Sequence, residues 1–156
     1  MKQSRRSMLK VGATATAAVT AAAALTGPAE AQGGMQKRSP YPPPATPAAK
    51  PMFSSAVAYG NMLFLSGVGY HQPGTIEEHT KHVIEELEQN LTRAGSSLQK
   101  VLKVSVFLND LKDYDRMNAV YRSFDWGDVP PVRTTVSPAA GIPGNSLIEI
   151  DMIAYI

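Results

Sequence analysis

Between Thr75 and Gly95 the chain encodes a helix that cannot stand alone. Thr75-Ile-Glu-Glu78 has the form of a capping box, in which a hydroxyl and a carboxylate three residues apart satisfy each other's unpaired backbone N–H groups. Ile76, Val83, Ile84, Leu87, Leu91 and Ala94 then recur at spacings that keep one helical face apolar, and Gly95 ends the run. The pattern predicts a helix over residues 76–94 that is apolar on one side only, so it needs a surface to cover.

The flanking segments supply one. Ala56–Tyr59 and Met62–Ser66 are apolar runs joined by Gly60-Asn61, a dipeptide suited to a two-residue hairpin turn. Val101–Leu108 is dense in β-branched residues and is closed by Asn109-Asp110. Tyr114, Met117, Val120, Tyr121 and Phe124 mark the stripe of a second helix, with Asp113 as its expected N-cap. Pro130 and Pro131 introduce a short strand holding Arg133, and Leu147–Ile156 is the last strand, preceded by the turn Gly141-Ile-Pro-Gly144. The order β-β-α-β-α-β-β, with no internal repeat, predicts an α+β sandwich whose helices pack on one face of a mixed or antiparallel sheet.

The N-terminus reads as an address. Ser4-Arg5-Arg6-Ser7-Met8-Leu9-Lys10 matches the twin-arginine pattern, and an Ala-rich run from Val11 to Leu25 leads to a small-residue cleavage site at Ala29-Glu30-Ala31. That run is shorter than the roughly 20 residues a spanning helix needs. The expectation is a cleaved signal over residues 1–31 and an exported mature chain, periplasmic or extracellular, with no membrane span. Cleavage removes Lys2, Arg5, Arg6, Lys10 and Glu30, so the formal charge of +2 becomes 11 basic against 12 acidic residues, a net −1. Such a balance disfavours stable nucleic-acid binding, which draws on a basic face. Residues 32–50, rich in Pro, Gly and Ala, read as a linker or arm, and residues 51–156 as one globular domain. The chain has no cysteine, which rules out disulfides, thiolate metal sites and a cysteine nucleophile.

In the last strand Ile148, Ile150 and Met152 alternate with Glu149 and Asp151; in the arginine strand Val132, Thr134 and Val136 alternate with Arg133, Thr135 and Ser137. If the two strands pair, Arg133 meets a carboxylate on the face away from the core. Spacing alone reads that pair as a cross-strand salt bridge, contributing about 0–1 kcal/mol on a solvated surface, more readily than as a binding site.

Five blocks extend the reading. Gly60-Asn-Met-Leu-Phe-Leu-Ser-Gly67, the helix segment Asn90–Gly95, Val104–Leu111 before Met117-Asn-Ala-Val-Tyr121, Pro131-Val-Arg-Thr-Thr135 and Ile148–Ala154, in this order, resemble the Rid (YjgF-like) reactive imine and enamine deaminases. The resemblance implies a chorismate-mutase-like α+β fold assembled as a homotrimer, with clefts between subunits and no metal or organic cofactor. It implies that Arg133 holds the carboxylate of a small substrate through a two-pronged contact and that Glu149 handles the attacking water. Ser66, Phe53 and Thr135 are then cleft residues, and Asn118 supports them. Water adds to the imine carbon, and the carbinolamine collapses to a 2-keto acid and ammonia. Phe53 stands where that family carries a tyrosine, keeping the ring without the hydroxyl, and Val68–Gly74 is shorter than the corresponding segment. A non-catalytic carboxylate-binding or chaperone-like module, or an endoribonuclease, are the alternatives on the same scaffold.

His79 and His82, three apart on the first helix, read with Glu86 as a solvated polar face more readily than as a metal site, which needs a complete, oriented ligand set. His71 reads as a loop histidine within reach of the cleft, and Trp126 with Tyr121 and Phe124 as core or subunit contact.

Overall fold

A computed structural model of the chain describes residues 36–43 and 49–156; the signal expected over residues 1–31 lies outside the described residues. The hairpin forms as its turn dipeptide requires: β2 (Ala56–Tyr59) and β3 (Met62–Gly69) pair antiparallel, and Gly60 takes the positive φ of 60° that glycine accommodates without strain. The stretch read as a linker is in part structural. Its Lys37–Arg38 forms β1, antiparallel to β2, and Tyr41 packs against the core with the Arg93 guanidinium 4.6 Å from its ring centroid.

Helix α1 spans Ile76–Arg93 and its capping box is closed. Glu78 N–H donates to Thr75 Oγ1 at 3.3 Å and Thr75 N–H to Glu78 Oε2 at 2.7 Å. Strand β4 (Val101–Leu108) leads through a 3-10 turn at Leu111–Asp113 into α2 (Tyr114–Tyr121). The expected Asp113 cap does not form: this residue is already helical and caps nothing, because the 3-10 turn runs straight into α2. Asp110 does the capping, its Oδ1 accepting Lys112 N–H at 2.9 Å. Strands β5 (Val132–Val136) and β6 (Ile148–Tyr155) follow.

The six strands make one mixed sheet in the order β1-β2-β3-β6-β4-β5, antiparallel throughout except that β5 runs parallel to β4. Alternation decides its two faces. Leu63, Leu65, Val104, Val106, Ile148, Ile150 and Met152 are buried against the apolar stripe of α1 and against Met117 of α2. Each such side chain contributes about 1.5–3 kcal/mol by leaving water. No helix of the described residues covers the other face. Its registered rows include Val57–Phe64–Ile153–Lys103–Val132 and Glu149–Phe107–Val136, in which Phe64, Val132 and Val136 are exposed.

Candidate active site

Arg133 and Glu149 do not meet within one chain. Strand β4 separates β5 from β6, and register puts Arg133 beside Val104 and Met152 while Glu149 lies beside Phe107. Arg133 therefore shares the helix-covered face and Glu149 the open one, which corrects the expected cross-strand pair on the face away from the core. The reason is the crossover: a helix between β4 and β5 brings β5 back parallel on the outer edge of β4, leaving the inner edge to β6.

Around Arg133 the partners are neutral. Its Nη2 donates to Asn118 Oδ1 at 2.7 Å and to the Tyr114 hydroxyl at 3.4 Å, and its guanidinium lies 4.6 Å from the Tyr121 ring centroid. Asn118 is buried on α2, so its carboxamide is a fixed acceptor, and the aromatic face attracts the cation without neutralising it. Among the described residues the ion pairs involve Lys81, Lys112 and Arg116, and Arg133 has no carboxylate partner. Thr135, two residues on, is half-buried on the same face. The Tyr121 hydroxyl is buried with no hydrogen-bond partner among the described residues. Burial pushes this phenol up to about 12, against the opposing pull of Arg133, so it stays neutral. The roles of Tyr114 and Tyr121 were not evident in the sequence, where both read as helix stripe; their position opposite a strand arginine is set by tertiary packing.

The second group of residues gathers where β3 and β6 meet. Between Leu65 and Val68 the register of β3 on β6 shifts, and Ser66 and Gly67 occupy this bulge. Ser66 N–H donates to the Ser55 carbonyl at 2.9 Å, which draws the Phe53–Ser55 segment alongside. A cleft of about 360 Å³ results, with Phe53, Ser66, Gly67 and His71 in its walls. The Glu149 carboxylate lies over Gly67, where a Cβ would come within 2.9 Å of Glu149 Cδ. Glu149 also lines a smaller cleft of about 160 Å³ with Phe107, Pro138 and Ile142. Glu149 thus borders, across Gly67, the cleft that Ser66 and Phe53 line, while Arg133, Asn118 and Thr135 form a separate group.

The short loop after β3 is stitched to the segment before β6. His71 Nδ1–H donates to the Gly144 carbonyl at 2.9 Å, and Tyr70 N–H donates to Ser146 Oγ at 3.0 Å. His79 is the third stitch, and it is buried rather than part of a solvated face. Its Nδ1 accepts Leu147 N–H at 3.2 Å, and its ring packs edge-on against Tyr70 with centroids 5.0 Å apart. With Nδ1 committed to the backbone, that nitrogen is not free to take a metal. His82 stacks on Tyr70 at 4.3 Å.

Burial holds the His79 imidazole below its ordinary range, against the smaller opposing effect of the Gln72 backbone. The unfolded chain therefore takes up this proton at higher pH than the folded one. Stability from this group is complete above the unfolded histidine value of about 6.5 and is lost as pH falls through it toward the folded one. Thermal midpoints should drop between pH 7.5 and 5.5, and a His79→Gln chain, whatever its own midpoint, should lose that slope. An unchanged slope in the variant would assign it elsewhere.

A mixed six-stranded sheet with two helices on one face makes this an α+β protein of the chorismate-mutase-like type. The chain belongs to the Rid/YjgF/L-PSP family: residues 44–156 match the family described as Endoribonuclease L-PSP. It is 44% identical over 110 residues to the mitochondrial protein mmf2 of Schizosaccharomyces pombe, covering 65% of this chain and 86% of that protein. To the 2-iminobutanoate/2-iminopropanoate deaminase of Rattus norvegicus it is 32% identical over 115 residues, 69% of this chain and 82% of that one. The crystal structure of NMB1025, a YjgF-family protein of Neisseria meningitidis, shares the fold with a TM-score of 0.66 at 27% identity, over 78% of this chain and 95% of that chain.

Proposed function

We propose that the protein hydrolyses small 2-imino acids to 2-keto acids and ammonia, in sites built between the subunits of a homotrimer. The observation that carries the reading is Arg133: a guanidinium held by Asn118, Tyr114 and an aromatic face, with no carboxylate of the described residues to neutralise it. A fixed, planar cation of this kind suits a carboxylate, which it can hold through two parallel hydrogen bonds. Association is supported by the uncovered sheet face with its exposed Phe64, Val132 and Val136, an apolar surface that seeks cover. It also offers a way for Arg133 of one copy to face Glu149 of another, as their opposite faces in a single chain require.

In this arrangement Arg133 holds the substrate carboxylate beside the imine carbon. The Glu149 carboxylate takes a proton from water as the water oxygen bonds to that carbon, and passes it to the nitrogen, which takes up the C=N electron pair. Glu149 then takes the proton of the carbinolamine hydroxyl and delivers it to the amine, so that the C=O bond forms as the C–N bond breaks and ammonia leaves. The relative named as a 2-iminobutanoate/2-iminopropanoate deaminase supports the same chemistry.

The test couples the protein to an amino-acid oxidase that generates imino acids in place. Ammonia release should run well above the uncatalysed rate. Release at the background rate, combined with tight binding of 2-keto acids, would instead favour a binding module.

A further inference from the structure

The cleft beside Ser66 holds a charge that the proposed reaction does not use. Glu86 and Asn90 lie one turn apart on α1 and both line the 360 Å³ cleft with Phe53, Ser55, Ser66 and Gly67. Glu86 is the only formally charged side chain in that lining, and it has no hydrogen-bond or ion-pair partner among the described residues. Of the neighbouring charges on the same helix, Lys81 pairs with Glu85 at 3.8 Å and Arg93 lies over Tyr41, while Glu88 is exposed and lies outside this cleft. His71, the other titratable group in the lining, gives its Nδ1–H to the Gly144 carbonyl.

From this we infer that the cleft selects imino acids whose side chain ends in a cation, and that Glu86 is the residue that reads it. The inference rests on the deaminase reading and names its substrate class. With the carboxylate of the substrate on Arg133 and its imine carbon near Glu149, the side chain enters the space bounded by Ser66, Phe53 and α1. At roughly 30 Å³ for each water-sized group, the cleft holds on the order of ten heavy atoms, more than a two- or three-carbon imino acid supplies. The Phe53 ring and the Gly67 backbone pass an aliphatic stem, and the far end meets the Glu86 carboxylate with the Asn90 carboxamide oxygen as a second acceptor. Glu86 is exposed, and an ammonium or guanidinium has several N–H donors to offer it and Asn90, whereas a neutral branched side chain has none.

The test compares imino acids made from arginine and from leucine by the same oxidase; lysine is avoided because its terminal amine closes onto its own C2. The expected kcat/KM ratio of arginine- to leucine-derived substrate is at least about tenfold, falling by a similar factor in Glu86→Gln. A ratio near one in the unaltered protein, or equal losses on both substrates in the variant, would overturn the inference while leaving the deaminase reading in place. Calorimetric binding of 5-guanidino-2-oxopentanoate against 4-methyl-2-oxopentanoate separates the two ideas. If neither imino acid is turned over, the deaminase reading fails; cation-selective binding that Glu86→Gln abolishes still supports the role of Glu86, and equal binding refutes it.

Discussion

Chains carrying Arg133→Ala and chains carrying Glu149→Gln, each nearly inactive alone, should regain about a quarter of full ammonia release when refolded together in equal amounts, by the symmetry of a three-fold ring. The single variants lose activity for different reasons. Removing the guanidinium forfeits a charge-assisted double hydrogen bond, about 3 kcal/mol or roughly 100-fold in kcat/KM. Replacing the carboxylate by an amide removes the group that moves the proton, a loss of about 10²–10⁴-fold. Arg133 and Glu149 lie on opposite faces of the same sheet, so in the proposed trimer each site draws them from two chains. Random mixing puts roughly three quarters of trimers in mixed form, and each mixed trimer has one of its three sites intact. Size-exclusion chromatography of the single variants should still show trimers. A mixture no more active than its parents would exclude sites shared in this way.

A second large effect is expected at a residue with no chemistry of its own. Gly67→Ala should cut kcat by about 10–100-fold while thermal stability changes little, since misplacing a reacting group by even 1 Å is costly. The added methyl would stand 2.9 Å from Glu149 Cδ and 3.1 Å from Cγ, so the carboxylate must swing away. Gly67 is exposed and is not among the glycines with positive φ, so the backbone tolerates alanine there. Gly144, by contrast, has φ of 72°, and a side chain there would be strained as well as crowded by His71. Normal kcat in Gly67→Ala would mean that the position of the Glu149 carboxylate is unimportant to the rate-limiting step.

Local signals carried most of the fold. The capping box and apolar period placed α1, Gly60-Asn61 placed the hairpin turn, and alternation in β6 picked out Ile148, Ile150 and Met152 as buried. Strand neighbours were not legible in this way. Alternation says which residues share a face, but not which neighbour a strand takes or which face the helices cover. In β5 the residues that look like core, Val132, Thr134 and Val136, are exposed, while Arg133 turns toward the helices. Tyr121 and Asn118 make that tolerable by giving the cation a π face and a buried acceptor, and both lie on a separate element. His79 shows the same limit. A helical wheel weighs its side chain as polar, and only the segment at Leu147 reveals the backbone partner that lets it be buried. The resemblance of five ordered blocks, rather than spacing, is what singled out Arg133 and Glu149 as a pair.

The outer strands of the sheet have a consequence for solubility. At one end β1 is only two residues long, and both its side chains, Lys37 and Arg38, are charged and exposed. At the other, β5 is five residues long, with Pro130 and Pro131 before it and Pro138 two residues after. Proline lacks the N–H that an added strand would use, and charge at an edge repels a second sheet. The molecule can therefore expose Phe64, Val132 and Val136 on its open sheet face while offering little template along its rims, so growth by indefinite strand addition is discouraged where the chain is stickiest.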